Sequence, residues 1–399
     1  MRANPEKAGG FWEVFLIFLR LGCTSFGGPV AHLGYFQSEF VERRAWLSGE
    51  SFAELVALAQ SLPGPASSQV GFSIGLSRAG LPGGLAAWLG FTAPSAALML
   101  AFAFGHSLFN GKGGAGLLHG LQLVAVAVVA QAVLAMQQRL APDGRRLAFV
   151  IVAVAIVLFA PPFLSSIFAI LAGALGGLLF LRLSTDYAAE NPVKFVSRRT
   201  GSVAAAIFAL LLIASLAIHG TELDPVNLFA NLFRAGSLVF GGGHVVLPLL
   251  DGLVVAKGWI SQRAFLAGYG AAQALPGPLF SFAAYVGAAV RPNSHPLAAG
   301  LIALIAIFLP GLLLMTAILP YWGSLRRRTG MQSALRGVNA SVVGVLIAAL
   351  YKPVWTSSVH SPPDFWIALS AFMLLTAWRV APWVVVVSVG GVCWLRIMS

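Results

Sequence analysis

The stretch LAQSLPGPASS, residues 58–68, returns as AAQALPGPLFS, residues 271–281. Aligned from Ala57 and Gly270, ALAQSLPGP and GAAQALPGP agree at six of nine positions. Pro63 and Pro65 lack a backbone N–H and push the residue before them out of the helical region, so a helix ending near Leu62 stops at Pro-Gly-Pro. Pro65 then suits the first position of a new helix, whose N–H groups at Ala66, Ser67 and Ser68 point back into the break. Pro276, Gly277 and Pro278 match Pro63, Gly64 and Pro65, and predict the same for Leu279, Phe280 and Ser281.

The surroundings of these breaks are apolar. The chain has 399 residues, 58% hydrophobic and 10% charged, with charge-free runs such as VAAAIFALLLIASLAI. Too few charges are present to cover a soluble surface, and about twenty apolar residues suffice to cross a bilayer core. The expectation is an all-α polytopic membrane protein with the lipid bilayer as its partner. Arg2 and Lys7 precede an apolar stretch as in a signal peptide, but Glu13 and Arg20 interrupt it and no small-residue cleavage site follows, so it reads as a first membrane helix. Cys23 and Cys393 both lie in apolar segments, and the seven His residues show no zinc-binding spacing. No metal site and no cofactor is expected.

Hydropathy marks about thirteen membrane segments, within a range of roughly ten to fourteen. They lie near 11–33, 52–79, 83–107, 116–138, 147–160, 163–182, 203–219, 227–250, 263–290, 297–320, 335–351, 365–378 and 382–397. With a cytoplasmic N-terminus, the loops holding Arg139, Arg145 and Arg146, then Arg182, Lys194, Arg198 and Arg199, then Arg326, Arg327 and Arg328 all fall inside, as the positive-inside rule requires. The C-terminus then lies in the periplasm, and the net charge of +12 is topological rather than a sign of nucleic acid. Arg43 and Arg44 are exceptions, offset by Glu39, Glu42 and Glu50; Lys112, Arg291 and Lys352 are isolated ones. FNGKGGAG (109–116) lacks phosphate-loop spacing, and the arginine run at 326–328 is read as a topology anchor.

The repeat reaches well beyond the opening stretch. Arg20, Gly22 and FGG (26–28) align with Arg234, Gly236 and FGG (240–242); Trp46 aligns with Trp259, Arg78 with Arg291, Pro94 with Pro310, and LLHGLQ (117–122) with ALRGVN (334–339). The expected organisation is a first repeat over 11–183, a linker with one connecting membrane helix over 184–219, and a second repeat over 227–399. An odd number of crossings separates matching helices, so the halves are read as inverted. Inverted repeats are a construction of secondary transporters, which place substrate at broken helices near the midplane.

The breaks are therefore the expected site. Non-helical backbone at membrane depth is tolerated where protein or a wet cavity satisfies it, and helix N-termini attract anions. Ser25, Gly27 and Gly28 in the first half and Gly241 and Gly242 in the second supply further breaks, where glycine lets a ligand approach the backbone. Gln60 and Gln273 offer side-chain amides. Arg20 and Arg234 sit at matching places inside apolar helices, and a buried arginine needs a partner or a wet cavity; they are read as oxyanion guides, one toward each face, against snorkelling or a carboxylate partner such as Glu13. Glu54 and His244 are candidate groups for coupling to protons. No cluster of nucleophile, base and acid is seen, so a membrane-bound transferase is a remote alternative.

Together, FGGP with the downstream FVERRAWLS (40–48), QSLPGP (60–65), FGGGHVVLPLL (240–250), GWIS (258–261) and QALPGP (273–278) resemble the chromate ion transporter family in its long two-domain form. The resemblance runs from about residue 12 to the end. It implies a multi-pass inner-membrane protein that exports chromate and confers chromate resistance, driven by proton exchange or the membrane potential. Sulfate, a dianion of the same tetrahedral shape, is the alternative substrate, and a homodimer is an admissible assembly. The second half departs from symmetry in reading FGGG for FGGP and Phe280 for Ser67.

Overall fold

The computed structural model describes residues 10–105, 112–160, 162–181, 196–218, 220, 222–240, 243–290, 295–325 and 328–398, and the only regular structure among them is helical. Gly241 and Gly242 lie outside the described residues, as do Arg182, Lys194, Arg291, Arg326 and Arg327.

The first half begins with α1 (Phe11–Thr24), whose Val14, Phe18 and Leu21 make one buried face, and a glycine break leads to α2 (Gly28–Phe36) and a π-helical turn over Gln37–Arg43. Next come α3 (Gly49–Ser61), the Pro-Gly-Pro break, and α4 (Ala66–Phe104), which bends at Ala79 and Gly80 into a short and a long arm. Three helices complete the half: α5 (Lys112–Leu140), α6 (Gly144–Phe159) and α7 (Pro162–Phe180). After α8 (Arg198–Ala217) the order repeats. α9 (Pro225–Leu238) answers α1; a 3₁₀ turn, α10 (Val246–Leu250) and a π-helical turn over Asp251–Val255 answer α2; α11 (Gln262–Ala272) answers α3. A 3₁₀ turn with α12 (Phe282–Ala289) and then α13 (Pro296–Ile318) answer the two arms of α4. The short α14 (Trp322–Leu325) precedes α15 (Thr329–Ala349), α16 (Pro362–Thr376) and α17 (Pro382–Met398), which answer α5, α6 and α7. The shared Trp-x-Ser signature is a helix start: Ser48 accepts from the Ser51 N–H and Ser261 from the Ala264 N–H.

Five helical stretches are long and apolar enough to cross a bilayer: Ala66–Phe104, Gly113–Leu140, Arg198–Ala217, Pro296–Leu325 and Thr329–Trp355. By contrast α1, α3, α9 and α11 have 14, 13, 14 and 11 residues. At 1.5 Å per residue they reach about 16–21 Å, short of the ~30 Å core. Side chains show where they go. Arg78, at the end of α4's short arm, meets Glu13 at the start of α1 at 3.2 Å and stacks 4.9 Å over Trp46, which precedes α3. Both pairs, α1 with α2 and α3 with the short arm, are thus hairpins that return to the face they started from.

The second half repeats this from the other side. Lys257, beyond α10, donates to the Gly220 carbonyl ahead of α9 at 3.2 Å, and the Tyr285 hydroxyl on α12 donates to Ala264 at the start of α11 at 2.9 Å. Arg263 beside them bonds Ala115 of α5 at 3.2 Å. That contact lies at the far end of α4's long arm, residues 81–104, which rises about 36 Å from the Arg78 face. The expected broken, re-entrant helices fall at 11–33, 52–79, 227–250 and 263–290: each enters, breaks and turns back. Two hairpins replace two crossings in each half, so the parity of the helices that follow is unchanged. Arg43 and Arg44, exceptions to the charge rule, now share a face with Glu13 and bond Glu39 at 3.0 and 2.7 Å.

The halves exchange helices. α5 packs along α16 and α17 of the second half, while α15 packs along α6 and α7 of the first. Small residues allow the approach: a Cβ on Gly337 of α15 would stand 2.0 Å from the Gly173 carbonyl of α7, and one on Gly120 of α5 would stand 2.9 Å from Gly390 of α17.

Candidate functional site

The tips of the four hairpins are laced together by the glycines of the two Pro-Gly-Pro breaks. Gly64 N–H donates to the Val239 carbonyl at 2.7 Å, and Gly277 N–H donates to the Ser25 carbonyl at 2.9 Å. Val239 and Ser25 each stand directly before the Phe-Gly-Gly of the opposite half, so the two bonds are reciprocal. Both glycines have positive φ, +122° and +91°. Gly64 abuts Gly311, which follows Pro310 in α13, and Gly277 abuts Ser95, which follows Pro94 in α4. The aligned Pro94 and Pro310 therefore mark the floor on which the opposite tip rests.

Around these tips lies a cavity of about 560 Å³. All four breaks reach it, through Gly27 and Gly28, Leu62 and Gly64, Gly243 and His244, and Gly277 and Leu279. Val128 to Leu140 of α5 forms a long wall; Gln60, Gln131, Gln273 and Asn339 supply amides, and Arg139 is the one charged residue in the lining among the described residues. Arg139 donates to the Gln60 Oε1, which turns that amide's NH₂ away from the arginine. One lining atom, the Asn339 Oδ1, is buried without a hydrogen-bond partner among the described residues. His244 Nδ1 lies 2.7 Å from the Tyr269 hydroxyl. Among the described residues no carboxylate lines the cavity, so its field favours an anion held by amide, guanidinium and backbone N–H donors.

A sequence model of the chromate transporter family matches this chain twice, over residues 12–178 and 226–394. The chain belongs to the chromate transporter family. Among its relatives are the chromate transport protein of Pseudomonas aeruginosa, 27% identical over 92% of this chain and 87% of its own length, and a probable chromate transport protein of Synechococcus elongatus, 27% identical over 91% and 88%. The chromate transport protein of Cupriavidus metallidurans is 24% identical over 91% of this chain and 87% of its own. No solved structure matches.

In this transporter the residues singled out from sequence divide into three groups. Gly27, Gly28, Gln60, Gly64, Gln273, Gly277 and His244 line the cavity. Ser25, Pro63, Pro65, Ser67, Ser68, Pro276, Pro278 and Ser281 stand behind it as the framework of the breaks. His32 bridges this framework, with Nε2 at 3.2 Å from the Ser25 carbonyl and Nδ1 at 3.4 Å from the Ser67 hydroxyl. Of the predicted helix-start donors, Ala66 reaches the cavity, whereas the Ser281 N–H is taken by the Pro278 carbonyl at 3.0 Å in a 3₁₀ turn.

The third group lies elsewhere. Arg20 is exposed on α1, and the expected pairing of Glu13 goes to Arg78 instead. Arg234 is buried and donates to the Ala230 and Ile218 carbonyls at 3.2 and 3.3 Å and to Asn231 Oδ1 at 3.1 Å. Neither arginine lines the cavity, and neither does Glu54.

Sequence reasoning missed Arg139, taken for a loop anchor because hydropathy ends there, although α5 continues through it to Leu140. It also missed Gln69, whose fully buried Nε2 donates to the Pro63 carbonyl at 2.9 Å and to the Gly311 carbonyl at 3.1 Å. A lone Gln four residues after the break, in an otherwise small and apolar run, was the available signal.

Proposed function

We propose that this transporter exports chromate, with the cavity at the four hairpin tips as its binding site. The observation that carries the reading is the lining: among the described residues, four helix breaks, four amides and one arginine converge with no carboxylate. The Arg139 guanidinium and the Gln60, Gln131 and Gln273 amides are the side-chain donors, and the open backbone at Gly27, Gly28 and Ala66 brings N–H groups within reach of a tetrahedral oxyanion. With α4's long arm, α5, α8, α13 and α15 as the helices long enough to cross, and the α6–α7 and α16–α17 pairs leaving the parity unchanged, the basic loops support a cytoplasmic N-terminus, a periplasmic C-terminus and an inner-membrane location.

In that orientation the cavity, walled by the Arg139 end of α5, opens toward the cytoplasm and is placed to load substrate for export. A dianion leaving an inside-negative cell gains about 4.6 kcal/mol per 100 mV, so the membrane potential alone suffices as a drive. His244, in the lining, is the candidate for any coupled proton.

The test is uptake of labelled chromate into inverted membrane vesicles under imposed potential and pH gradients, with sulfate as competitor. Potential-dependent uptake above that of vesicles lacking the protein is expected. Uptake no greater than in those control vesicles would remove the export reading, and equal or better transport of sulfate would reassign the substrate.

A further inference from the structure

A second cavity of about 580 Å³ lies beside the first, between α5 and the turn that joins α16 to α17. Gly27, Gln131, Ala135 and Pro382 belong to the walls of both, so the two spaces adjoin. The second contains an arginine of its own, Arg379, with Gln138 and Tyr35. All three side chains are exposed and none has a hydrogen bond or ion pair with another described residue, and among the described residues no carboxylate lines this cavity either.

The backbone at Arg379 is unusual. Its φ is +53°, in the left-handed region. The end of α16 imposes this: Trp378 N–H returns to the Met373 carbonyl at 3.3 Å and Val380 N–H to the Leu374 carbonyl at 2.9 Å, closing the helix around residue 379. That position is commonly glycine, because a Cβ there is strained. An arginine is thus held where local geometry favours a residue with no side chain. The corresponding α6–α7 turn, Ala160 to Pro162, carries no basic residue, so the feature belongs to one half only.

We infer that this chamber is a second oxyanion site, in which the Arg379 guanidinium, the Gln138 amide and the Tyr35 hydroxyl hold a tetrahedral dianion before it passes along Gln131 into the central cavity. The inference rests on the oxyanion reading of that cavity. Arg379 faces the Arg139 end of α5, since Gln138 in the last turn of α5 lines this cavity with it and Gln131, two turns earlier, donates to the Leu375 carbonyl at 3.1 Å. The two sites therefore act in series, capture at Arg379 and occupancy beside Arg139. Capture outside the central site raises the local concentration of a dianion, an effect that depends on ionic strength.

Backbone strain supplies a clean test. Arg379→Gly removes the guanidinium while suiting the left-handed backbone, so the variant should melt at or above the wild-type temperature. Arg379→Asn, which also tolerates that conformation, guards against an effect peculiar to glycine. Binding of chromate to the protein in lipid nanodiscs, followed by calorimetry, should show two equivalents for wild type and one for either variant. In vesicles the half-saturating chromate concentration should rise on the order of tenfold at low salt, converge on wild type at high salt, and leave the maximal rate intact. One equivalent in the wild type, or unchanged stoichiometry and half-saturation in both variants, overturns the second site. A wild type that binds two equivalents but moves no chromate removes the transport reading and leaves the chamber standing.

Discussion

Replacing Gly64 with Ala tests whether the reciprocal lacing of the hairpin tips builds the site. At φ +122° an alanine is strained, and its Cβ would stand 2.9 Å from the Gly311 Cα and 3.0 Å from the Gln69 Nε2. The Gly311 contact sets the new Cβ against backbone, so it is relieved only by moving the tip away from α13, which lengthens the 2.7 Å bond from Gly64 to Val239. A non-glycine residue in such a conformation costs about 1–3 kcal/mol, and forced overpacking about 1–3 kcal/mol more. The sum, about 2–6 kcal/mol, is a large share of the roughly 5–15 kcal/mol that holds a typical protein folded.

Gly34→Ala is the matched control. Nothing lies within 4 Å of its added Cβ and α2 is helical there, so alanine should be neutral or stabilise by about 0.5–1 kcal/mol. Thermal melting of the purified proteins, with chromate transport in vesicles alongside, should show Gly64→Ala losing both stability and transport while Gly34→Ala keeps both. Gly277→Ala should resemble Gly64→Ala, because its Cβ would stand 3.0 Å from the Ser95 Oγ and 3.1 Å from the Phe91 carbonyl. If Gly64→Ala melts with wild type and transports at its rate, the close approach of the tips does not shape the site.

Arg139→Gln removes the one charge in the lining; a charge-assisted bond is worth about 1.5–3 kcal/mol, and because Arg139 is exposed the low end applies, so chromate affinity should fall roughly tenfold, with unchanged affinity refuting its role. Arg234→Gln strips buried carbonyls of their donor and should lower the yield of folded protein in the membrane, whereas Arg20→Gln should leave yield and transport near wild type; immunoblots beside transport rates separate the two, and a transport defect in Arg20→Gln at normal yield would restore it to the path. Single cysteines at Glu42 and Lys257 should react with an impermeant thiol reagent from opposite sides of the membrane, and labelling from one side would contradict hairpins opening on opposite faces.

The sequence made the breaks legible because their causes are local. The Pro-Gly-Pro at 63–65 and 276–278 stops a helix through its own backbone, and its duplication exposed two homologous halves. Direction was not legible, because hydropathy sums apolar residues and is blind to a chain that turns back at Gly27 and Gly28. The contacts that prove the reversal, Arg78 with Glu13 and with Trp46, join residues far apart in sequence. Alignment also suggested equal roles for Arg20 and Arg234, but their neighbours differ. Asn231 stands beside Arg234 where the first half has Ile17, so one arginine is bonded inside the fold and the other projects outward. Arg139 and Arg379 resembled ordinary basic residues at helix ends, and only the cavities reveal what they adjoin.

The exchange of α5 and α15 bears on which parts can act as machinery. Had each half kept its own helices, one could tilt against the other about a flat seam, as two jaws do. Here each half grips the other's last pair of helices, with Gly337 seated against Gly173 and Gly120 against Gly390. A tilt would drag α5 across α17 and α15 across α7 at once, pulling apart packed backbones with no water to fill the gap. The interlocked helices therefore behave as a chassis, and the working stroke falls to the short hairpins suspended within it. Those pieces are short, lean on the chassis through glycine and proline, and are joined across the two halves at their tips, so a small roll of two of them would close one mouth while opening the other.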